Sequence, residues 1–200
     1  MTKKTLAVKP RKTPQQSRAG HTVASLLEAA ALVLETQGIA GFTTNLVAQR
    51  AGVSIGSLYQ YFPGKHALIL ALCQRERATF LADAQVALQQ ASGPAALAHL
   101  IKASVHQQLQ RPVLARLLDL EMGRPAMLRE LQPFREAMHD LIRQLLEYDG
   151  FLPQADIEIA SDDIMAIVRA MVNAAGERVE VDREGLTNSI YRTLSGYLGM

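Results

Sequence analysis

Residues 54–62 read SIGSLYQYF and combine apolar and hydrogen-bonding side chains at a helical spacing. At about 100° of rotation per residue, Ile55, Leu58 and Phe62 fall on one side and form the predicted buried face. The opposite side is small, polar and uncharged, with Gly56, Ser57 and Gln60 at its centre and Tyr59 and Tyr61 at its edges. A helix that enters the major groove of DNA needs slim hydrogen-bonding side chains and no carboxylates. The pattern therefore favours a DNA-reading helix, and an ordinary corner of a helical core is the alternative.

A second short helix is predicted immediately before this one. Thr43 is a favourable N-cap for a helix over residues 44–51, because its hydroxyl can accept a free backbone N–H. Gly52 can adopt a positive φ without penalty and ends that helix, and Ser54 caps the next one. Two helices joined by a short turn that contains glycine form the helix-turn-helix pattern.

The charge distribution supports a polyanionic partner for the N-terminal part. Residues 1–75 hold nine Lys or Arg and two acids, a balance of +7, whereas residues 76–200 have a balance of −5. No Asp or Glu occurs from Thr36 to Arg75. A surface that faces a polyanion needs such an acid-free stretch. The basic arm with Lys9, Arg11, Lys12 and Arg18 would follow the DNA backbone or enter a minor groove, or else be a solvated tail.

The segment FTTNLVAQRAGVSIGSLYQYFPGKHAL, residues 42–68, resembles the helix-turn-helix signature of the TetR family of transcriptional regulators. The resemblance implies three N-terminal helices that bind DNA and a helical C-terminal domain that dimerises and usually holds a small effector. It also implies that effector binding releases the DNA. The C-terminal part resembles the family only in the layout and length of its helices.

The resemblance also implies roles for individual residues. Thr44, Tyr61 and Lys65 match positions that commonly contact phosphates, and Asn45 reaches a base edge or the backbone in some members. Gln60 is the expected reader of sequence, because its amide can pair with an adenine edge, and a phosphate or water-bridged contact is its alternative. Ile55 would meet a thymine methyl group or pack under the helix corner. The full set of expected DNA contacts is Thr44, Asn45, Ser54, Ile55, Gly56, Ser57, Tyr59, Gln60, Tyr61 and Lys65.

The rest of the 200-residue chain has helical periodicity and no segment that alternates between turn signals as a strand does. We therefore expect an all-α protein, in which a three-helix DNA-binding module with a helix-turn-helix precedes a helical domain for ligand binding and dimerisation. The predicted divisions are a basic arm at 1–17, the DNA-binding domain at 18–75 and the effector and dimerisation domain at 76–200. Helices are predicted over about 16–37, 65–90, 95–109, 113–120, 126–148, 161–175 and 183–198, in addition to the two short ones.

The last two predicted helices are the expected dimerisation surface. Two recognition helices spaced by about 34 Å, one turn of B-DNA, would read a palindrome, so a homodimer is needed. Two wide apolar faces near the C-terminus suit a four-helix bundle between protomers, and packing within one chain is the alternative. The residues expected at this interface are Ile167, Ala170, Met171, Ala174, Ile190 and Leu194.

The effector site is predicted from methionines in the helical domain. Methionine suits a pocket for varied apolar ligands, although it is also ordinary core filler. The candidate lining residues are Met122, Met127, Met138, His139 and Met165. Arg124 would pair with an anionic effector or simply be solvated.

Other function classes find little support in the sequence. The five histidines show no metal-ligand spacing, and there is neither a glycine-rich phosphate loop nor a GxSxG motif, so no enzyme, cofactor or metal is expected. The single cysteine, Cys73, forms no intrachain disulfide and reads as a small buried side chain. We expect a cytoplasmic protein without a secretory signal or membrane span, and the resemblance to the TetR family implies a repressor. A protein–protein adaptor and an activator of the same fold are the alternatives.

Overall fold

The computed structural model describes residues 14–148, 151, 156–178 and 182–200, except for the side chains of 14–18, 125 and 126. Every regular element in these ranges is an α-helix, which confirms the all-α prediction. The helices are α1 (Pro14–Gly41), α2 (Thr44–Ala51), α3 (Ile55–Tyr61), α4 (Lys65–Gln90), α5 (Gly93–Gln110), α6 (Pro112–Met122), α7 (Pro125–Glu130), α8 (Gln132–Leu146), α9 (Ile157–Gly176) and α10 (Arg183–Leu198). The side chains of the predicted basic arm, Lys9, Arg11, Lys12 and Arg18, lie outside the described residues.

The chain divides into two compact units, the first ending at Leu68 and the second beginning at Ile69. The division falls within α4, which begins in the first unit and continues through the second. The boundary predicted from the change in charge, after Arg75, lies a few residues further along this helix.

The first unit is built on one buried face of α1. Leu26, Ala30 and Leu34 recur at helical spacing and are fully buried. Gly38, the predicted end of the helix, has a φ of 63° and interrupts the helical conformation, so that the last residues of α1 form a separate turn. The α1 and α2 helices pack together, and α2 packs on α3.

Over Ala19–Gly41 the first helix is long and apolar enough to cross a membrane, with a mean hydropathy of 1.4. Glu28 and Glu35 interrupt this segment, so it contains no continuous apolar run as long as a membrane span. The apolar side of the helix, which includes Leu27 and Ala31, is nevertheless buried in the core of the first unit. The composition of α1 is therefore that of a core helix.

The second unit has its core among α5, α8, α9 and α10, which pack on one another around buried leucine, isoleucine and valine side chains. The prediction of one helix over 126–148 was wrong. Pro133 lies in the first turn of α8, where its missing N–H separates α8 from α7 at Leu131. The predicted start of α9 at Ser161 was also late. Asp156 accepts hydrogen bonds from the N–H groups of Glu158 and Ile159 and starts the helix at Ile157.

Candidate DNA interface and effector cavity

Local side-chain hydrogen bonds set the ends of α2 and α3. The Thr43 hydroxyl accepts a hydrogen bond from the Leu46 N–H, and the Ser54 hydroxyl accepts one from the Ser57 N–H at 3.1 Å. Gly52 has a φ of 69° and turns the chain between the two helices. Both predicted caps and the glycine turn are therefore present. They fix the direction of α3, whose Leu58 is fully buried beneath it.

The face of α3 opposite Leu58 is open to solvent. Gly56, Tyr59, Gln60 and Tyr61 are exposed, and Ser57 is half-buried because it contacts the capping Ser54. Ile55 differs from the prediction that placed it with the buried face, since it is 38% exposed. It occupies the first position of α3, and helical side chains lean toward the N-terminus, so no earlier turn covers it. The solvent-facing surface of α3 thus has one exposed aliphatic side chain and carries no formal charge.

The two short helices are also joined by a hydrogen bond between their exposed sides. The Thr44 and Tyr59 hydroxyl oxygens are 3.1 Å apart, and either hydroxyl can donate. Each hydroxyl has one donor and two acceptor sites, so both keep capacity for a phosphate or a base edge. This contact holds the tyrosine ring beside the start of α2, where Asn45 is exposed.

Exposed cations lie on the helices that precede and follow α3 in the chain. Arg50 on α2 and Lys65 at the first position of α4 are exposed. An ammonium group and the positive end of a helix dipole act together on an anion at such a position. Because no carboxylate occurs between Thr36 and Arg75, the first unit presents these cations without neighbouring acids in that part of the sequence.

The second unit contains a cavity of about 630 Å³ that is partly open to solvent. Its walls come from the second unit's part of α4, from α5 to α9 and from Leu194 of α10. Fully or almost fully buried aliphatic side chains form much of the lining, among them Leu97, Ile101 and Leu114. The volume lies in the range of pockets that enclose organic ligands, and the lining predicts a mainly apolar one.

A chain of polar side chains crosses one wall of the cavity. The Gln108 amide donates to the Asn173 side-chain oxygen, and the Asn173 amide donates to Asp119 Oδ2 at 2.7 Å. On α4, the backbone oxygen of Glu76 accepts a hydrogen bond from the Gln107 amide. These bonds satisfy polar groups that are partly removed from water and connect α4 to α5, and α5 to α9 and α6.

The α4 wall of the cavity contains two residues, Cys73 and Arg77, whose pKa values are shifted by burial. Burial raises the pKa of the Cys73 thiol to about 11, and the nearby Arg77 charge only partly opposes this shift. Burial likewise lowers the pKa of Arg77, against the attraction of Asp119. Cys73 is buried, as the sequence predicted, and its raised pKa keeps it a neutral thiol near pH 7.

Three of the five predicted pocket residues, Met122, Met138 and Met165, line this cavity. Met127 does not line it and is buried elsewhere, whereas His139 points to Asp162, whose Oδ1 is 2.9 Å from the imidazole Nε2. The hydrogen bond from His139 and that from Arg135 lower the pKa of Asp162. Arg124, the possible anion partner in the sequence, forms a 2.9 Å ion pair with the buried Glu121 and is itself largely exposed.

Sequence reasoning missed the cavity side chains that approach from distant parts of the chain. Arg77 and Phe134 meet although they are 57 residues apart in number, with the guanidinium carbon 4.4 Å from the ring centroid. The only local signal in the sequence for this contact was the position of Arg77 within the apolar pattern of α4, four residues after Cys73.

Two family profiles cover most of the chain. One, described as bacterial regulatory proteins of the tetR family, matches residues 26–72, which include α2 and α3. The other, described as a tetracyclin repressor-like C-terminal domain, matches residues 94–198. The chain belongs to the TetR family. Members are transcriptional regulators with a helix-turn-helix that binds DNA.

Solved TetR-family structures share this fold along nearly the whole chain. The fatty acid degradation regulator FadR from Bacillus halodurans is 20% identical, with a TM-score of 0.78, and the match covers 94% of this chain and 98% of that one. FadR from Bacillus subtilis, solved in complex with stearoyl-CoA, is 18% identical, with a TM-score of 0.75 and coverage of 86% and 96%. A tetR-family regulatory protein from Rhodococcus RHA1 is 18% identical, with a TM-score of 0.72 and coverage of 88% and 96%. None of the curated protein sequences matches the chain.

The predicted dimerisation residues differ in how deeply they are buried within one chain. Ile190 and Leu194 are fully buried within a single chain, so their prediction as interface residues was wrong: they belong to the core of the second unit. Ile167 and Met171 are half-buried against the same core. Ala170 and Ala174 are exposed on α9.

TetR-family members are regulators, and enzymatic activity is not characteristic of the family. Among the residues that the structure describes, no group of three or more His, Cys, Asp or Glu side chains is arranged to hold a metal ion.

Proposed function

We propose that this chain is a cytoplasmic homodimeric repressor that binds a palindromic operator and is released from it by a small, mainly apolar effector. The observation that carries the proposal is the exposed, uncharged face of α3, held by two caps and by the contact of Tyr59 with Thr44. A groove-reading helix needs such a face, and exposed cations beside it supply the attraction to phosphates.

The proposed DNA contacts are those of α2, α3 and the start of α4. Gln60 reads a base edge, whereas Lys65 and Thr44 hold phosphates. The whole proposed set is Thr44, Asn45, Ser54, Ile55, Gly56, Ser57, Tyr59, Gln60, Tyr61 and Lys65. All of these residues are exposed in the chain except Thr44 and Ser57, which are half-buried, and this exposure supports the set.

Dimerisation is proposed to use the exposed side of α9. Ala166, Ala170 and Ala174 lie on this side, and small side chains allow a partner helix to approach closely. Ile167 and Met171 flank them and are only half-buried within one chain. A two-fold dimer through this face would present two copies of α3 to one palindrome.

The effector is proposed to bind in the cavity of the second unit. Its apolar lining supports a ligand with a large hydrocarbon part, and the FadR structure with stearoyl-CoA shows that one protein of this fold binds a fatty acyl compound. The α4 helix carries both Lys65 and the cavity residues Cys73 and Arg77, so a shift of α4 caused by the ligand would change the DNA contacts. Effector binding would then favour a conformation with low affinity for the operator.

Fluorescence anisotropy tests the DNA-binding part. The full-length protein would be titrated onto labelled DNA from its own upstream region at two salt concentrations, with scrambled DNA as competitor. We expect binding by two protomers that resists the competitor. Weak binding that the scrambled DNA displaces equally well would contradict the proposal. Binding to DNA without a steep salt dependence would favour a protein–protein adaptor. A reporter fused to the same DNA separates a repressor from an activator by the sign of the change.

Two substitutions separate base reading from phosphate binding. Gln60→Ala should lose about 1 to 3 kcal/mol of discrimination at particular base pairs. Lys65→Ala should weaken binding to every sequence alike and reduce the salt slope by about one per protomer. Gln89→Ala and Lys102→Ala, which remove the same groups from exposed sites in the second unit, are the matched controls. An unchanged base preference in Gln60→Ala would exclude the reading role of this residue.

A further inference from the structure

Among the described residues, the direct hydrogen bonds and the ring contact of one cavity guanidinium, that of Arg77, are with neutral groups. Arg77 Nη2 donates to the Met122 sulfur at 2.6 Å and Nε donates to the same sulfur at 3.0 Å. The guanidinium also lies over the Phe134 ring, 4.4 Å from its centroid. Thioethers are weak acceptors, so these contacts leave most of the hydrogen-bonding capacity of the cation unused.

The three carboxylates that line the cavity, those of Glu76, Asp119 and Asp162, are engaged with other groups. Asp119 accepts from the Asn173 amide, Glu76 pairs with Arg75 at 2.7 Å, and Asp162 accepts from Arg135 and His139. Within the part of the chain that the structure describes, none of them forms an ion pair with Arg77. Arg77 therefore carries a positive charge that is partly removed from water and, among the described residues, has no directly bonded counter-charge.

The chemistry of the cavity limits what that counter-charge can be. A guanidinium presents parallel N–H groups that match the two oxygens of a carboxylate. The buried aliphatic side chains of Leu97, Ile101 and Leu145 line the same cavity as Arg77. A ligand that satisfies both parts has one anionic end and a hydrocarbon remainder.

We infer that the effector is a free monocarboxylic acid with a long hydrocarbon part, and that Arg77 binds its carboxylate in place of the Met122 sulfur. The inference rests on the proposed function of the cavity as the effector site and names the chemical class of the effector. An acyl thioester carries no charge at its carbonyl carbon, so pairing with Arg77 favours the free acid over a coenzyme A ester. Methionine is unbranched and flexible, so Met122 can withdraw without breaking α6.

Arg77 shares helix α4 with Lys65, one of the proposed DNA contacts, and follows it by twelve residues in the chain. When Arg77 on α4 exchanges its contact with the Met122 sulfur for an ion pair with the ligand, α4 loses a contact with α6 and gains one with the ligand. The carboxylate is therefore the part of the ligand that acts directly on α4.

Calorimetric titration of the full-length protein tests this inference with paired probes. Saturated carboxylates from octanoate to stearate would be compared with the primary alcohols of the same chain lengths. In the wild-type protein we expect the best carboxylate to bind about ten to one hundred times more tightly than its alcohol, because a hydrogen bond to a charged group contributes that much. In Arg77→Met this preference should disappear, while the affinity for the alcohol stays, which also shows that the variant is folded.

Two further variants refine the test. Arg77→Lys retains the charge without the fork and should keep part of the preference for the acid. Arg116→Met removes a charge from an exposed site of α6 outside the cavity lining, and we expect a change of less than about fivefold.

Three outcomes would overturn the inference. They are equal affinity for acid and alcohol in the wild type, an unchanged preference for the acid in Arg77→Met, and binding of stearoyl-CoA with no binding of any free acid. The proposed function is measured separately, by operator binding of the protein without ligand. Operator binding that persists while the acids fail to bind would reject only the carboxylate, and loss of operator binding would reject the regulator itself.

Discussion

Gly93, the first residue of α5, should be intolerant of a side chain for two separable reasons. Its φ of 54° lies in the left-handed region, where a Cβ costs about 1 to 2 kcal/mol. A Cβ built on this backbone would also lie 2.7 to 2.8 Å from Cδ1, Cε1 and Cγ of the Tyr148 ring. Real Cβ atoms do not approach other atoms so closely, so the ring would have to move.

The size of the second effect follows from the surroundings of Tyr148. Its ring packs edge-on against Phe151 with the centroids 5.2 Å apart, but one side of it is exposed. Forcing extra volume into a packed site costs about 1 to 3 kcal/mol, and the exposed side lets the ring move at the lower end of that range. For Gly93→Ala we therefore expect a loss of about 2 to 3 kcal/mol of unfolding free energy.

Urea unfolding followed by circular dichroism, at one fixed protomer concentration, measures this loss. Gly123→Ala is the matched control, because Gly123 has a φ of −67° and its added Cβ would meet nothing closer than the Leu120 carbonyl oxygen at 3.6 Å. Its effect should stay within about 0.5 kcal/mol. In a Tyr148→Ala background only the backbone part of the Gly93→Ala effect should remain. An unfolding midpoint of Gly93→Ala equal to that of the wild type would refute both parts of the reasoning.

The altered proton affinities lead to two more predictions. Burial raises the pKa of Cys73 to about 11. Iodoacetamide at pH 8 should therefore alkylate the native protein at least about 100 times more slowly than the urea-unfolded chain. Equal alkylation rates in a mass-spectrometric time course would show that the thiol is accessible. The hydrogen bond from His139, followed by that from Arg135, lowers the pKa of Asp162 from 3.8, so its contribution to stability is complete above about pH 4 and is lost as the pH falls further. Because Asp162 is partly exposed, Asp162→Asn should reduce the free energy of unfolding at pH 7 by less than about 1 kcal/mol. The variant should also lose less stability than the wild type as the pH falls below about 4. Equal losses of stability in acid for the two proteins would contradict this.

Local chemistry made much of the DNA-binding unit predictable. The Thr43 and Ser54 caps and the Gly52 turn depend on residues within three or four positions of one another, and all three are present. The exposed position of Ile55 was missed because the angular pattern of a helix does not show where its first turn ends. The boundary between α7 and α8 depends on a single residue, Pro133, and the apolar periodicity on either side does not reveal it.

The second unit was less predictable because its important contacts join distant residues. The apolar repeat of α10 could not reveal whether Ile190 and Leu194 face their own chain or a partner, and both face their own core. Nor could the sequence bring Arg77 to Met122, which is 45 positions away. Methionine content pointed to helices that line the cavity but did not separate Met127 from the three methionines at the cavity.

The cavity in the second unit has a consequence for how long the protein survives in the cell. Side chains that line a cavity of about 630 Å³ lack packing partners on one side, so a bound ligand would add contacts that they do not otherwise make. A ligand that binds only the folded state adds stability in proportion to the logarithm of its concentration over its dissociation constant. Proteolysis follows the population of opened molecules, so a cell rich in the effector should degrade this protein more slowly. The small molecule would then set the abundance of the regulator as well as its occupancy on DNA, and pulse-chase half-lives with and without the compound would measure the effect.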